Sequence, residues 1–177
     1  ATNVSLEHIR GKPLTPEKAR EMFGMDKGLD PNSYEEKGTT VSFYSSLCAL
    51  CDTLGICKFN TKWMGSAIGI KEMADLVSAA TGLQMDENGL LQVAARINNV
   101  ERAYLVKEGI TRKDDTIHGR AMEEPVPSGP FKGERLDKKK FSRMLDEYYE
   151  VVGWDKKTGI PTRATFESLG LKDVAVF

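Results

Sequence analysis

A chain of 177 residues, 40% hydrophobic and 29% charged, can bury a sizeable core and has the make-up of an ordinary soluble globular protein. Its formal net charge of −1 excludes an electrostatic case for nucleic acid or an anionic membrane surface. The longest apolar runs, such as 174–177, are far too short to span a bilayer, and no charged-then-apolar leader opens the chain. Three cysteines cannot pair completely, which argues for a reducing compartment and a cytoplasmic setting. The first residue is Ala1 rather than Met, so a processed chain or a piece of a larger one is expected.

The residues read as helices separated by Gly- and Pro-rich loops, with almost no alternation of period two. Thr15 can cap a short helix over Pro16 to Phe23, since proline is tolerated at the first helical position. Gly24, Gly28 and Asp30-Pro31-Asn32 make a loop. Ser33 then caps a long helix to about Leu54, with Glu36 completing a capping box. Along it Val41, Tyr44, Cys48 and Cys51 fall at three- and four-residue steps on one face, and Gly38 weakens its start.

A helix over Lys71 to Ala80 stops at Gly82. The next runs from about Asn88 to Glu108 and stops at Gly109, with Leu90, Val93, Ala94, Ile97, Val100 and Tyr104 as its apolar stripe. No period survives from Ile110 to Arg135, where Pro125, Pro127, Gly129, Pro130 and Gly133 predict an extended loop. A loop that long is usually functional or interfacial. Asp137 caps a helix to Val152 with Phe141, Met144, Leu145 and Tyr148 on one side, and Thr162 caps a last short helix to about Leu169. Tyr148, Tyr149 and Trp154 read as core anchors, and Lys138-Lys139-Lys140 as a solvated helix start. Arg112, Asp114 and Asp115 read as an ion-pair and capping cluster. The expectation is an all-α, multihelical single domain over 1–177.

Cys48-x2-Cys51-x5-Cys57 puts three thiols within ten residues. Zinc prefers four ligands, no second pair follows, and His8 and His118 are remote in sequence. A cubane iron–sulfur cluster needs four thiolates, so any cluster here must borrow ligands. Free cysteines most often serve as small buried hydrophobes, the reading taken for Cys48 and Cys51. Cys57 differs: it follows the helix-stopping Gly55, beside Asp52 and Lys58, where a thiol and a carboxylate share one sharp turn. A buried structural role and a metal-ligand role both remain open on composition alone.

Asp52-Thr53-Leu54-Gly55-Ile56-Cys57-Lys58-Phe59 resembles the Asp-x-x-Gly-Leu-Cys-x-Phe segment of the tungsten- and molybdopterin-dependent aldehyde ferredoxin oxidoreductases. Asn99-Val100-Glu101-Arg102-Ala103-Tyr104 and Lys107-Glu108-Gly109-Ile110-Thr111-Arg112-Lys113-Asp114-Asp115 are similar to two further family runs. Tyr148-Tyr149 with Trp154-Asp155, then Gly159-Ile160-Pro161-Thr162 and Leu169-Gly170-Leu171, resemble its C-terminal end. These elements keep the family's order from about residue 45 onward. The resemblance implies that Asp52 and the backbone of Thr53, Leu54, Gly55 and Ile56 bind a pterin, and that Cys57 is the last ligand of a 4Fe–4S cluster. Glu7-His8-Ile9-Arg10-Gly11 resembles a His-Leu-Arg segment of relatives, which implies a proton-transfer role for His8; a solvated surface histidine is the competing reading.

Departures fall at Tyr104-Leu105, at Lys107 and at Asp115-Thr116-Ile117-His118-Gly119-Arg120, in a region the resemblance places near the active-site entrance, so substrate class stays open. The family's N-terminal pterin domain and its three upstream cluster cysteines have no counterpart here. The resemblance therefore implies the carboxy-terminal third of a larger enzyme, silent by itself. That enzyme would carry a tungsten or molybdenum bis-molybdopterin and the cluster, oxidise aldehydes to carboxylic acids and pass electrons to ferredoxin. A homo-oligomer is open, as is a relative acting on another carbonyl or an aromatic thioester. The rival from another class is a cofactor-free helical binding module.

Overall fold

The computed structural model describes residues 8–9, 12–13, 17, 20, 28, 30, 33–62 and 67–174. The architecture is helical: α1 (Lys37–Leu54), α2 (Ile70–Thr81), α3 (Glu87–Lys107), α4 (Gly119–Glu123), α5 (Lys138–Val152) and α6 (Arg163–Ser168). Short 3-10 turns cover Lys58–Asn60 and Lys172–Val174, and two-residue strands β1 (His8–Ile9) and β2 (Lys12–Pro13) pair antiparallel. The expected Thr15 cap and Pro16–Phe23 helix lie outside the described residues, except for Glu17 and Arg20, both helical.

Helix boundaries follow local chemistry. Gly82 terminates α2, Asp86 caps α3 by accepting from Gly89 N–H at 2.7 Å, Asp137 caps α5 through Lys140 N–H at 2.8 Å, and Thr162 caps α6 through Thr165 N–H at 3.2 Å. The expected capping box at Ser33 and Glu36 does not form. Ser33 Oγ instead accepts from Glu35 N–H at 2.9 Å, while the Glu36 carboxylate accepts Gly28 N–H at 3.1 Å. With that carboxylate engaged elsewhere, Glu36 takes a left-handed conformation (φ 56°) and α1 starts at Lys37.

α1 packs against both α5 and α3, and α2 packs against α3. The α1–α5 contact depends on Gly38, where a Cβ would collide with the backbone of Glu147 and Tyr148. Thr39 reinforces it by donating its N–H and hydroxyl to Glu147 Oε1 at 3.1 and 2.9 Å. Because α1 is flanked on two sides, its buried stripe is rotated from the expected one. Leu47, Leu50 and Cys51 bury with Met73, Ala74, Leu90 and Ala94, whereas Val41 is 51% exposed and Tyr44 and Cys48 are half-buried.

The stripe on α3 is right in its first half, where Leu90 and Ala94 are buried, and wrong in its second. Val100 and Tyr104 face solvent, and Asn99, Arg102 and Ala103 turn inward. Ala103 joins Phe166 and Leu171 in a second small core. The segment expected as pure loop between residues 110 and 135 contains α4, whose N-terminus is capped by the His118 ring nitrogen accepting Arg120 N–H at 3.2 Å. The rest of that segment closes on itself through Val126 N–H to Glu134 O and Gly133 N–H to Val126 O.

Candidate functional site

Two regions gather the residues that the motifs single out. The first is the turn at the C-terminus of α1. Gly55 adopts the left-handed conformation (φ 67°) that glycine favours, and its N–H and that of Ile56 close on Cys51 O. The chain then leaves the helix sharply, with Cys57 (φ −62°, ψ 126°) leading into the 3-10 turn. Asp52, Thr53, Gly55 and Cys57 are exposed, Leu54 and Ile56 are half-buried against the core, and Phe59 is 72% exposed. Lys58 Nζ lies 3.4 Å from Asp52 Oδ1. Cys48 and Asp52 together hold its ammonium above the ordinary lysine pKa.

Whether a cofactor fits this turn is a question of donor set and space. A Cβ built on Gly55 meets nothing within 4 Å, so the outer side of the turn is open. Cys57 is the exposed thiol, whereas Cys51 is buried and burial, then Cys48, pushes its thiol pKa up, which suits an inert core sulfur. Among the described residues no group of three or more His, Cys, Asp or Glu could hold a metal ion. The turn therefore offers one thiolate and one carboxylate to a group whose other ligands come from elsewhere. It fits a shared site and does not fit a self-contained one.

The second region is buried and self-satisfied. Arg102 donates Nη1 and Nη2 to the two oxygens of Asp115 at 2.8 and 2.5 Å and Nε to Gly159 O at 2.8 Å. Its guanidinium lies 4.7 Å from the Trp154 ring centroid. Trp154 Nε1 donates to Asn99 Oδ1 at 2.9 Å, and the Tyr149 hydroxyl donates to Asp115. Burial first, then the bond to Asp115, pushes the Tyr149 pKa above the ordinary tyrosine value. Arg112 pairs with Asp146 at 2.7 Å over the Tyr149 ring, and Asp114 accepts Thr111 N–H at 2.8 Å, which holds its carboxyl below the usual range. Tyr149 and Trp154 are buried as expected, and Lys138, Lys139 and Lys140 are exposed.

Asn99 and Arg102 are two buried polar residues that a search for apolar periodicity misses. The available signal was their three-residue spacing beside Ala103 on one helical face. His8 lies in β1 opposite Pro13; its side chain, on which the expected proton-transfer role depends, lies outside the described residues.

The family model "Aldehyde ferredoxin oxidoreductase, domains 2 & 3" matches residues 1–171. The tungsten-containing aldehyde ferredoxin oxidoreductase of Pyrococcus furiosus is 32% identical over 168 residues, covering 94% of this chain and 26% of that protein. The protein of the same name in Thermococcus kodakarensis is 33% identical with the same coverage. An aliphatic sulfonate oxidoreductase, WOR-like subunit, of Pyrococcus furiosus is 32% identical over 129 residues, 70% of this chain and 20% of that one. The fold resembles that of the active-site complex BamBC of benzoyl coenzyme A reductase (TM-score 0.66, 24% identity, 82% of this chain and 20% of that one). The chain spans about a quarter of the length of the curated relatives it matches. No helix among the described residues is long and apolar enough to cross a membrane. By the match of nearly its whole length, the chain belongs to the aldehyde ferredoxin oxidoreductase family, in the part formed by domains 2 and 3.

Proposed function

We propose that this chain is the helical part of a larger cytoplasmic oxidoreductase that converts aldehydes to carboxylic acids and passes the electrons to ferredoxin. The observation that carries this reading is the exposed Asp52–Cys57 turn, open on its outer side and short of ligands, in a chain that belongs to this family. Cys57, as thiolate, would supply one of four ligands to a 4Fe–4S cluster, the other three coming from outside this chain. Asp52, an acceptor-only group when ionised, would accept from N–H groups of a pterin, with the 53–56 backbone shaping the surface beneath it. A bis-pterin tungsten or molybdenum would supply the two-electron chemistry and the cluster the one-electron relay.

The protein's own contribution is positional. The αL turn at Gly55 fixes the Asp52-to-Cys57 spacing, and Leu54 and Ile56 anchor it to the core. Lys58 balances the Asp52 charge at the rim. His8 is proposed to move a proton during aldehyde hydration and oxidation, as an imidazole can near neutral pH.

Metal analysis of the anaerobically purified full-length protein tests the reading. One tungsten or molybdenum and about four irons per polypeptide, the complement of one such cluster, are expected. Protein that is folded but holds neither metal under protected conditions would sink the proposal in favour of a helical binding module.

A further inference from the structure

The starts of α1 and α5 and the chain from 120 to 136 border an open cavity of about 580 Å³, within the size range of small-molecule sites. Its apolar wall includes Tyr34, Pro125, Val126, Phe131 and Met144. Val126 and Phe131 are 40% and 45% exposed, although the chain carrying them is pinned. Val126 N–H donates to Glu134 O at 2.8 Å, Gly133 N–H to Val126 O at 2.9 Å, and Leu136 N–H to Ala121 O at 3.0 Å. Tyr34 is held too, its hydroxyl accepting Asp137 N–H at 3.0 Å and its ring lying 5.0 Å from Lys140 Nζ. The backbone beneath this wall is thus held in place, and Tyr34 with it.

The polar groups around the cavity are rich in donors. Lys37, Arg120 and Arg135 face it against the carboxylates of Glu124 and Glu134. Arg120 Nε is engaged by Glu124 at 2.7 Å, and Lys37 Nζ donates to Gly28 O and Asp30 O at 2.7 and 2.5 Å. Among the described residues no acceptor engages the Arg135 guanidinium. The Tyr34 hydroxyl, already accepting, keeps its own proton to donate.

We propose that this cavity binds a small aromatic carboxylate, its ring against the Tyr34–Phe131 wall and its carboxylate on Arg135 and the Tyr34 hydroxyl. One uncommitted guanidinium matches a single, bidentate carboxylate charge. A phosphate dianion would call for a second such cation, and Arg120 is committed to Glu124. The Tyr34 and Phe131 rings in the lining favour a flat ring over an alkyl chain. The cavity lies at the first residues of α1, whereas the Asp52–Cys57 turn lies past its last. The 18-residue helix between them is roughly 27 Å long, so a bound ligand touches no proposed cofactor contact. The inference stands independently of the redox reading.

The test is calorimetric and NMR titration of the full-length protein with benzoate, using acetate, benzyl alcohol and inorganic phosphate as controls. Benzoate is expected to saturate with a Kd of about 1 mM, with acetate and benzyl alcohol at least about tenfold weaker. Arg135→Gln and Phe131→Ala should each weaken benzoate about tenfold at unchanged melting temperature. No saturable benzoate binding, undiminished binding by both variants, or phosphate binding more tightly than benzoate would each overturn the assignment.

Discussion

The Arg102 network and the Asp52–Cys57 turn are built from the same kinds of groups, an acid with a cation nearby, yet they end in opposite states. Both Asp115 oxygens are satisfied by Arg102, Tyr149 adds a further bond, and Trp154 and Gly159 close around the pair. At the turn, Asp52 has one weak, exposed partner among the described residues, at 3.4 Å, Cys57 is exposed, and Gly55 faces open space. A saturated network can lock elements together but has nothing left to offer a ligand. The turn can receive one. The family motifs run through both regions, so motif content alone does not separate scaffold from site; the state of the hydrogen bonds does.

The sharpest way to break this comparison is at Arg102. Replacing it with Met strands Asp115 and unpairs Gly159 O, and should cost about 3 kcal/mol of unfolding free energy, reduced somewhat by the partial exposure of Asp115. Urea denaturation checks this, and a loss near zero would demote the network from scaffold to ornament. Gly55→Ala should come next, at about 1 kcal/mol from the left-handed backbone alone, because its Cβ would meet no neighbour.

Tyr149 gives a pH-dependent version of the same test. Its raised folded pKa means that stability is fully present below the unfolded value of about 10 and is lost as pH rises beyond it toward the folded value. A phenol absorbance titration should show Tyr149 ionising above the ordinary tyrosine value or only on unfolding, and Asp115→Asn should bring its ionisation to lower pH. Ionisation of Tyr149 at the ordinary tyrosine value would contradict the network's geometry.

Much of the fold was legible because helix ends announce themselves locally. Asp137, Thr162 and Gly82 fall where capping chemistry puts them, within a residue or so of the observed bounds. Two of the misreadings share a cause: partners that a local pattern cannot contain. Glu36 was expected to cap its own helix but is taken by Gly28 N–H, eight residues back. Val100 and Tyr104 continue the apolar period of α3, yet the helix turns its Asn99–Arg102 face inward because Trp154 and Asp115 wait there. His118, read only as a remote candidate ligand and as a departure in the motif, caps a helix that aperiodic sequence concealed. The turn was legible from Gly55 and its neighbours; its openness was not, since exposure depends on what the remaining chain leaves uncovered.

The smallest expected effect on stability belongs to Cys57. In the cluster-free chain Cys57→Ser should shift unfolding by no more than about 0.5 kcal/mol, since the side chain is exposed. The most direct test of the account pairs that measurement with iron content and cluster spectroscopy of the same full-length variant. The account predicts retained pterin metal and a disrupted iron–sulfur cluster, with any loss of stability no larger than removal of the cluster from the parent protein causes. A normal cluster in the variant, or a large loss of stability without loss of iron, would contradict it and return Cys57 to the ordinary side chains of a helix end.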